Sequence, residues 1–140
     1  MKTLKFAETI KAPKAKVWET LWNDETYRHW TSPFMEGSYA ESDWKEGSRI
    51  LFLSPGGNGM YSIIEKKIPN EQMTFKHLGE VKNGVETPGD WAGAKEIYHL
   101  EEKNGTTQLE VQMDSVGEFE EYFSKTFPVA LNKVKEIAEQ

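Results

Sequence analysis

The order of hydrophobic periods along this chain limits its fold more than any other feature. A short helical pattern comes first, a long series of strand patterns follows, and one amphipathic helical pattern closes the sequence. Near the start, Val17, Trp18, Leu21 and Trp22 fall on one helical face, the spacing of a helix that buries one side. Pro13 stands just before them, where a missing amide is harmless because the first turn has no internal acceptor for it. At the end, Phe119, Tyr122, Phe123, Phe127, Ala130, Leu131, Val134, Ile137 and Ala138 recur at steps of three and four, again one face. Pro128 lies inside that run and predicts a kink or a division into two segments, since it removes a donor and crowds the preceding turn. A sheet that curls around such a helix leaves a space between the two, and a function belongs in that space.

Between the helical patterns the texture is that of strands and turns. Leu4, Phe6, Glu8 and Ile10 alternate before the first helix, and Asp24 is placed to cap a second short helix bearing Tyr27 and Trp30, ended by Ser32-Pro33. Further strands are expected over 37–43, 48–54, 59–67, 72–81, 95–103 and 107–115. Their separators are rich in glycine, proline and asparagine. Asn104-Gly105 suits a two-residue hairpin, because both central positions need a positive φ. The stretch 82–94 reads as the longest irregular loop, a length that in a compact domain often carries function. The expected fold is α+β: a curved antiparallel sheet of about six or seven strands wrapped around a long C-terminal helix, with two short helices after strand 1. Residues 1–140 are read as a single domain, long enough for one core and without internal repeats.

Several chemistries are disfavoured. A net charge of −6 suits neither nucleic acid nor an anionic membrane, and Lys11, Lys14 and Lys16 read as the solvated face of the first helix. There is no cysteine, no signal-peptide core and no run of about 20 apolar residues, so the expected location is the cytoplasm. His29, His77 and His99 lack metal-ligand spacing, and no serine stands in a G-x-S-x-G elbow. Neither metal nor cofactor is expected. The glycine-rich Ser54-Pro55-Gly56-Gly57-Asn58-Gly59 lacks Gly-Lys-Ser/Thr and leads into a strand, so it reads as a turn.

Strand parity turns a few polar groups inward. Met73, Phe75 and His77 share a face of one strand, and Glu96, Tyr98 and Leu100 share a face of another. The next strand offers Leu109, Val111 and Met113. Tyr98 is then either a satisfied core residue with Glu96 at the rim, or His77, Glu96 and Tyr98 orient a ligand in an apolar pocket. A buried ionised Glu96 needs a donor, from His77, a loop amide or a ligand. Whether His77 reaches it depends on register, which the pattern leaves open. Trp18 and Trp22 read as core. Phe119, Phe123 and Phe127 face the sheet as core or cavity wall. Trp91, in Gly89-Asp90-Trp91-Ala92-Gly93, either tucks its loop down or closes the pocket mouth. The candidate binding set is Phe75, His77, Glu96, Tyr98, Met113, Phe119, Phe123, Phe127 and Trp91.

Ile10-Lys11-Ala12-Pro13 followed by Val17-Trp18, Leu21, Tyr27 and Trp30, then Asp43-Trp44-Lys45-Glu46-Gly47-Ser48 and the closing Phe127-Pro128-Val129-Ala130-Leu131-Asn132-Lys133-Val134-Lys135, resemble the START-like (SRPBCC, birch-pollen-allergen-like) superfamily. Within it the chain is similar to the family homologous to the C-terminal domain of the activator of heat-shock protein 90 ATPase. The resemblance implies the helix-grip fold. Three functions follow as expectations: a non-catalytic module holding a small hydrophobic or aromatic molecule between sheet and last helix; a protein-interaction or co-chaperone domain; and a cyclase- or hydratase-like enzyme using His77, Glu96 and Tyr98.

Overall fold

The computed structural model describes residues 2–115 and 117–140. The elements run β1 (Lys2–Ile10), α1 (Lys14–Trp22), α2 (Asp24–Trp30), β2 (Tyr39–Glu41), β3 (Arg49–Leu53), β4 (Gly59–Ile68), β5 (Gln72–Lys82), β6 (Val85–Pro88), β7 (Lys95–Lys103), β8 (Thr106–Ser115) and α3 (Gly117–Ala138). The strands form one antiparallel sheet in the order β1-β8-β7-β5-β4-β3-β2, with β6 paired to β5. The expected strand count rises to eight because 82–94 is not all loop. Asn83 and Gly84, at φ 53° and 79°, turn β5 back into β6, the same device that joins β7 to β8 through Asn104 and Gly105 at 55° and 79°. All four residues of β6 are exposed, so no alternation marks it.

The sheet buries one face. Along β8, Thr107, Leu109, Val111, Met113 and Ser115 are buried at every second position, the mark of an antiparallel sheet covered on one side. Val17 and Leu21 from α1, Tyr27 and Trp30 from α2, and Phe127, Leu131 and Val134 from α3 share one core with Ile64, Met73 and Phe75 of the sheet. Each such large side chain contributes roughly 1.5–3 kcal/mol by leaving water. No helix among the described residues is long and apolar enough to cross a membrane.

Local chemistry sets the helix ends. The carbonyl of Pro13 accepts the Val17 amide at 3.1 Å and so opens α1. Asn23, not Asp24, caps α2: its side chain accepts the Glu25 amide at 3.1 Å, while Asp24 is the first helical residue and pairs with Arg28 one turn on. Trp30 Nε1 donates to the Leu21 carbonyl at 3.0 Å, satisfying a C-terminal acceptor of α1 that the helix leaves unpaired. Pro128 does not divide α3, which is one element of 22 residues. Phe127, Ala130, Leu131 and Val134 on both sides of it are buried, and that packing carries the helix across the lost bond.

Two irregularities shape the middle of the sheet. The register of β4 against β5 shifts between Tyr61 and Ser62 and again between Ile64 and Lys66, the mark of β-bulges, which bend a strand and re-aim its side chains. On its other edge β5 pairs with β7 over 72–76 and with β6 over 79–82. At the change of partner, the His77 amide donates to the Ala94 carbonyl and the Gly93 amide to the His77 carbonyl, both at 2.8 Å. His77 therefore sits where the sheet forks.

Candidate functional site: an aromatic cavity with one carboxylate

Between the sheet and α3 lies a cavity of about 290 Å³. Trp22, Tyr27 and Trp30 close one side, Phe52 and Phe75 form the sheet wall, and Phe123 and Phe127 come from α3. The polar groups on its surface are few. Among the described residues Glu96 is the one charged side chain there, and no lysine, arginine or histidine lines the space.

Glu96 is held by buried donors. Its Oε1 lies 3.0 Å from Nε2 of His77, whose Nδ1 lies 2.7 Å from Ser62 Oγ. Its Oε2 accepts from the Tyr98 hydroxyl. The pairing follows from topology: Ser62 faces His77 across β4 and β5, and Glu96 on β7 faces Phe75, two residues from His77 on the same face. An imidazolium would satisfy these contacts too, with Nδ1–H donating to Ser62, but the hydroxyl proton of the buried Ser62 would then have no acceptor among the described residues. The arrangement that leaves no buried donor idle has a neutral imidazole. Ser62 donates to Nδ1, Nε2–H donates to Oε1, and the phenol donates to Oε2. With that assignment the imidazole is neutral and the carboxylate carries the only charge of the chain of contacts. Side-chain exposure is 3 % for His77 and 13 % for Glu96, and of the two only Glu96 lines the cavity.

Burial, and then the charge of Glu96, push the Tyr98 phenol well above the ordinary tyrosine range, and the bond to Glu96 adds to this. Burial, and secondarily the charge of Glu96, also push Tyr27 far up. Both phenols therefore stay protonated, which lets Tyr98 act as a donor.

Of the expected residues, Phe75, Glu96, Tyr98, Met113, Phe123 and Phe127 line the cavity. His77 does not line the cavity; it bonds Glu96 and sets its ring 5.8 Å from that of Phe52, both of them wall residues. Phe119 is 43 % exposed and touches the wall through Phe123, with ring centroids 6.3 Å apart. Trp91 is away from the mouth. It lies over Gly89, where an added Cβ would come within 2.7 Å of Cε2 of the indole. Its turn is tied to β5 by the backbone bonds at His77, so the tucked alternative describes it.

The sequence reading missed the side of the cavity built before β3. Trp22, expected as core, is a wall residue, with its ring 4.9 Å from Tyr98 and 5.3 Å from Phe75. Its Nε1 is buried without a hydrogen-bond partner. Phe34, Met35 and Tyr39 follow the Ser32-Pro33 stop and also line the space. Phe34 and Met35 lie in a connection, where no period marks an inward face. Among the described residues no three His, Cys, Asp or Glu side chains gather to hold a metal ion.

An open antiparallel sheet with two short helices and a long terminal helix over one face, enclosing a space between them, defines a helix-grip domain of START-like architecture. The chain belongs to the family described as Activator of Hsp90 ATPase homolog 1-like protein, whose profile matches residues 11–139. The structure is similar to the solution structure of the Aha1 dimer from Colwellia psychrerythraea, at 22 % identity and a TM-score of 0.78, covering 99 % of this chain and 97 % of that one. It is also similar to a crystal structure of a Nitrosomonas europaea protein, at 15 % identity and TM-score 0.74, covering 96 % and 92 %. A third likeness is CalU16 from Micromonospora echinospora, at 16 % and 0.70, covering 97 % and 75 %. At these identities the likenesses establish the fold. No curated protein matches the sequence.

Proposed function

We propose that this domain is a non-catalytic binding module that holds a small hydrophobic or aromatic ligand between the sheet and α3. The observation that carries the reading is a partly open, mostly aromatic cavity with a single oriented carboxylate on its wall. Apolar walls with few placed polar groups are the usual composition of a small-molecule site. A ligand burying about 150–250 Å² of apolar surface gains roughly 4–6 kcal/mol at ~25 cal/mol per Å². Ordering and desolvation costs reduce this, so dissociation constants of about 0.1–10 mM are expected for simple aromatics. Both ring nitrogens of His77 are engaged and the ring stands off the cavity, which disfavours it as an acid or base acting directly on a bound molecule. An NMR titration against a lipid and aromatic fragment library tests the proposal: shifts should gather at Phe75, Tyr98 and Phe123, and a library that moves none of them overturns it.

A protein-interaction or co-chaperone role is the second reading. The family's description favours it, as do the exposed apolar side chains Met35, Phe119 and Tyr122. Addition of this protein to a heat-shock protein 90 from the same source should then raise its ATPase rate, and Phe119→Ser should diminish the effect.

A further inference from the structure

The charge of the cavity narrows the ligand further. We infer that the molecule held there is an organic cation, a protonated or quaternary amine on a small apolar body, with its charged head beside Glu96. The inference rests on the binding-module reading and adds the ligand's charge to it.

The argument begins with what Glu96 lacks. Its two donors are neutral in the arrangement that leaves no buried donor idle, and among the described residues no cationic side chain lines the space. Two cations carried by elements that line the cavity are engaged elsewhere. Lys95 pairs with Glu65 at 2.8 Å, and Arg28 pairs with Asp24 at 3.0 Å. The guanidinium of Arg28 also lies 5.1 Å from the ring of Tyr39, an interaction that occupies it further. A carboxylate offers about four lone-pair positions, and the two donors leave others free on the cavity side.

A neutral ligand filling the cavity would displace the water that solvates this charge and leave nothing in its place, which is unfavourable. An anionic ligand would add like-charge repulsion. An ammonium removes both penalties.

The second argument is the shape of the aromatic wall beside the carboxylate. Trp22, Trp30, Tyr27 and Tyr98 form a continuous ring cluster: Trp22–Tyr98 centroids lie 4.9 Å apart, Tyr27–Trp30 5.5 Å, Trp30–Tyr98 6.3 Å and Trp22–Trp30 6.5 Å. Tyr98 is itself hydrogen-bonded to Glu96, and Tyr27 feels its charge. Aromatic faces attract cations through their quadrupole, and an aromatic enclosure with a nearby carboxylate suits substituted ammonium ions. Phe34, Phe123 and Phe127 supply the apolar remainder of the space.

Matched ligands that differ only at the head test this directly. Phenethylamine, a cation at neutral pH, is compared with phenethyl alcohol and with the anion hydrocinnamate, by NMR titration of the whole chain in its unaltered form. The amine should bind at least about tenfold tighter than the alcohol, the preference expected from one favourable cation–π contact and a compensated charge. The preference should shrink in Glu96→Gln. Equal or tighter binding of the alcohol overturns the cation inference while leaving the binding module intact. Tighter binding of the anion does the same. If none of the three moves Phe75, Tyr98 or Phe123, and a wider fragment library moves none of them either, the module reading falls with it. The comparison on the unaltered protein decides the question even where Glu96→Gln does not fold.

Discussion

Truncating Glu96 to alanine removes the acceptor that two buried donors share. Nε2 of His77 and the phenol of Tyr98 both point at its carboxylate, and both side chains are almost wholly enclosed. A buried donor left without a partner costs about 1–3 kcal/mol. Two give about 2–6 kcal/mol, and water entering from the cavity repays part of this at Tyr98, which lines it. A net loss of about 2–4 kcal/mol is expected for Glu96→Ala, a large share of the roughly 5–15 kcal/mol that holds a domain together. In urea, with a slope of about 2 kcal/mol per M, the midpoint falls by about 1–2 M. Tyr98→Phe removes one donor and one bond to a charged acceptor, and should lose about 1.5–3 kcal/mol. The double variant is the sharper measurement. Once Glu96 is gone the phenol is an orphan, so removing it costs little, and the double loss should fall short of the summed single losses by about 1–3 kcal/mol. Additivity within about 0.5 kcal/mol, or a Glu96→Ala loss below that size, would refute the shared-acceptor account.

Three further outcomes follow. The phenols of Tyr27 and Tyr98 are raised in the folded protein, so their contribution is fully present below the unfolded tyrosine value of about 10 and is lost as pH rises above it, because the unfolded chain then releases protons the fold retains; urea midpoints should drop on the alkaline side, less steeply in Tyr98→Phe. Phe127 stacks on Phe6 and meets Phe34, each at 4.8 Å, so Phe127→Ala should lose about 3–5 kcal/mol in denaturant unfolding. A Cβ at Gly79 would lie 2.2 Å from the Thr87 carbonyl oxygen and 2.7 Å from Tyr61 Cε1, so Gly79→Ala should speed amide exchange across 85–88 by separating β6 from β5. Gly57→Ala, at φ 80° with open space around it, should leave those amides unchanged and cost only about 1–2 kcal/mol.

Much of the architecture was legible because it is written in short-range periods. The 3.6-residue spacing of Val17, Leu21, Leu131 and Val134 and the two-residue spacing of Leu109, Val111 and Met113 each place one face toward the core, and all seven are buried. Asn104-Gly105 forced a hairpin because only residues that tolerate positive φ fit there. The same dipeptide at Asn83-Gly84 also turns a hairpin, but the pattern does not mark it, since β6 has no buried face and pairs along one edge only. At α2 the cap lies one residue earlier than the pattern suggested, because Asn and Asp are both good caps and only the backbone turn at Asn23 chooses between them.

The sequence by itself determined which elements form, in what order, and which faces of them are apolar, because periodicity and turn chemistry act over a few neighbouring residues. It also placed Phe75, Glu96, Tyr98 and Met113 on inward strand faces by parity, and Phe123 and Phe127 on the inward face of the last helix by its 3.6-residue period. Tertiary structure decided the rest. That His77 and Glu96 meet depends on the register of β5 against β7 and on a fork in the sheet at His77. That Trp22 is a wall and Trp91 is not depends on where the helices stop short of filling the sheet's covered face. A cavity is the volume that packing leaves empty among residues far apart in sequence, and no local pattern specifies it.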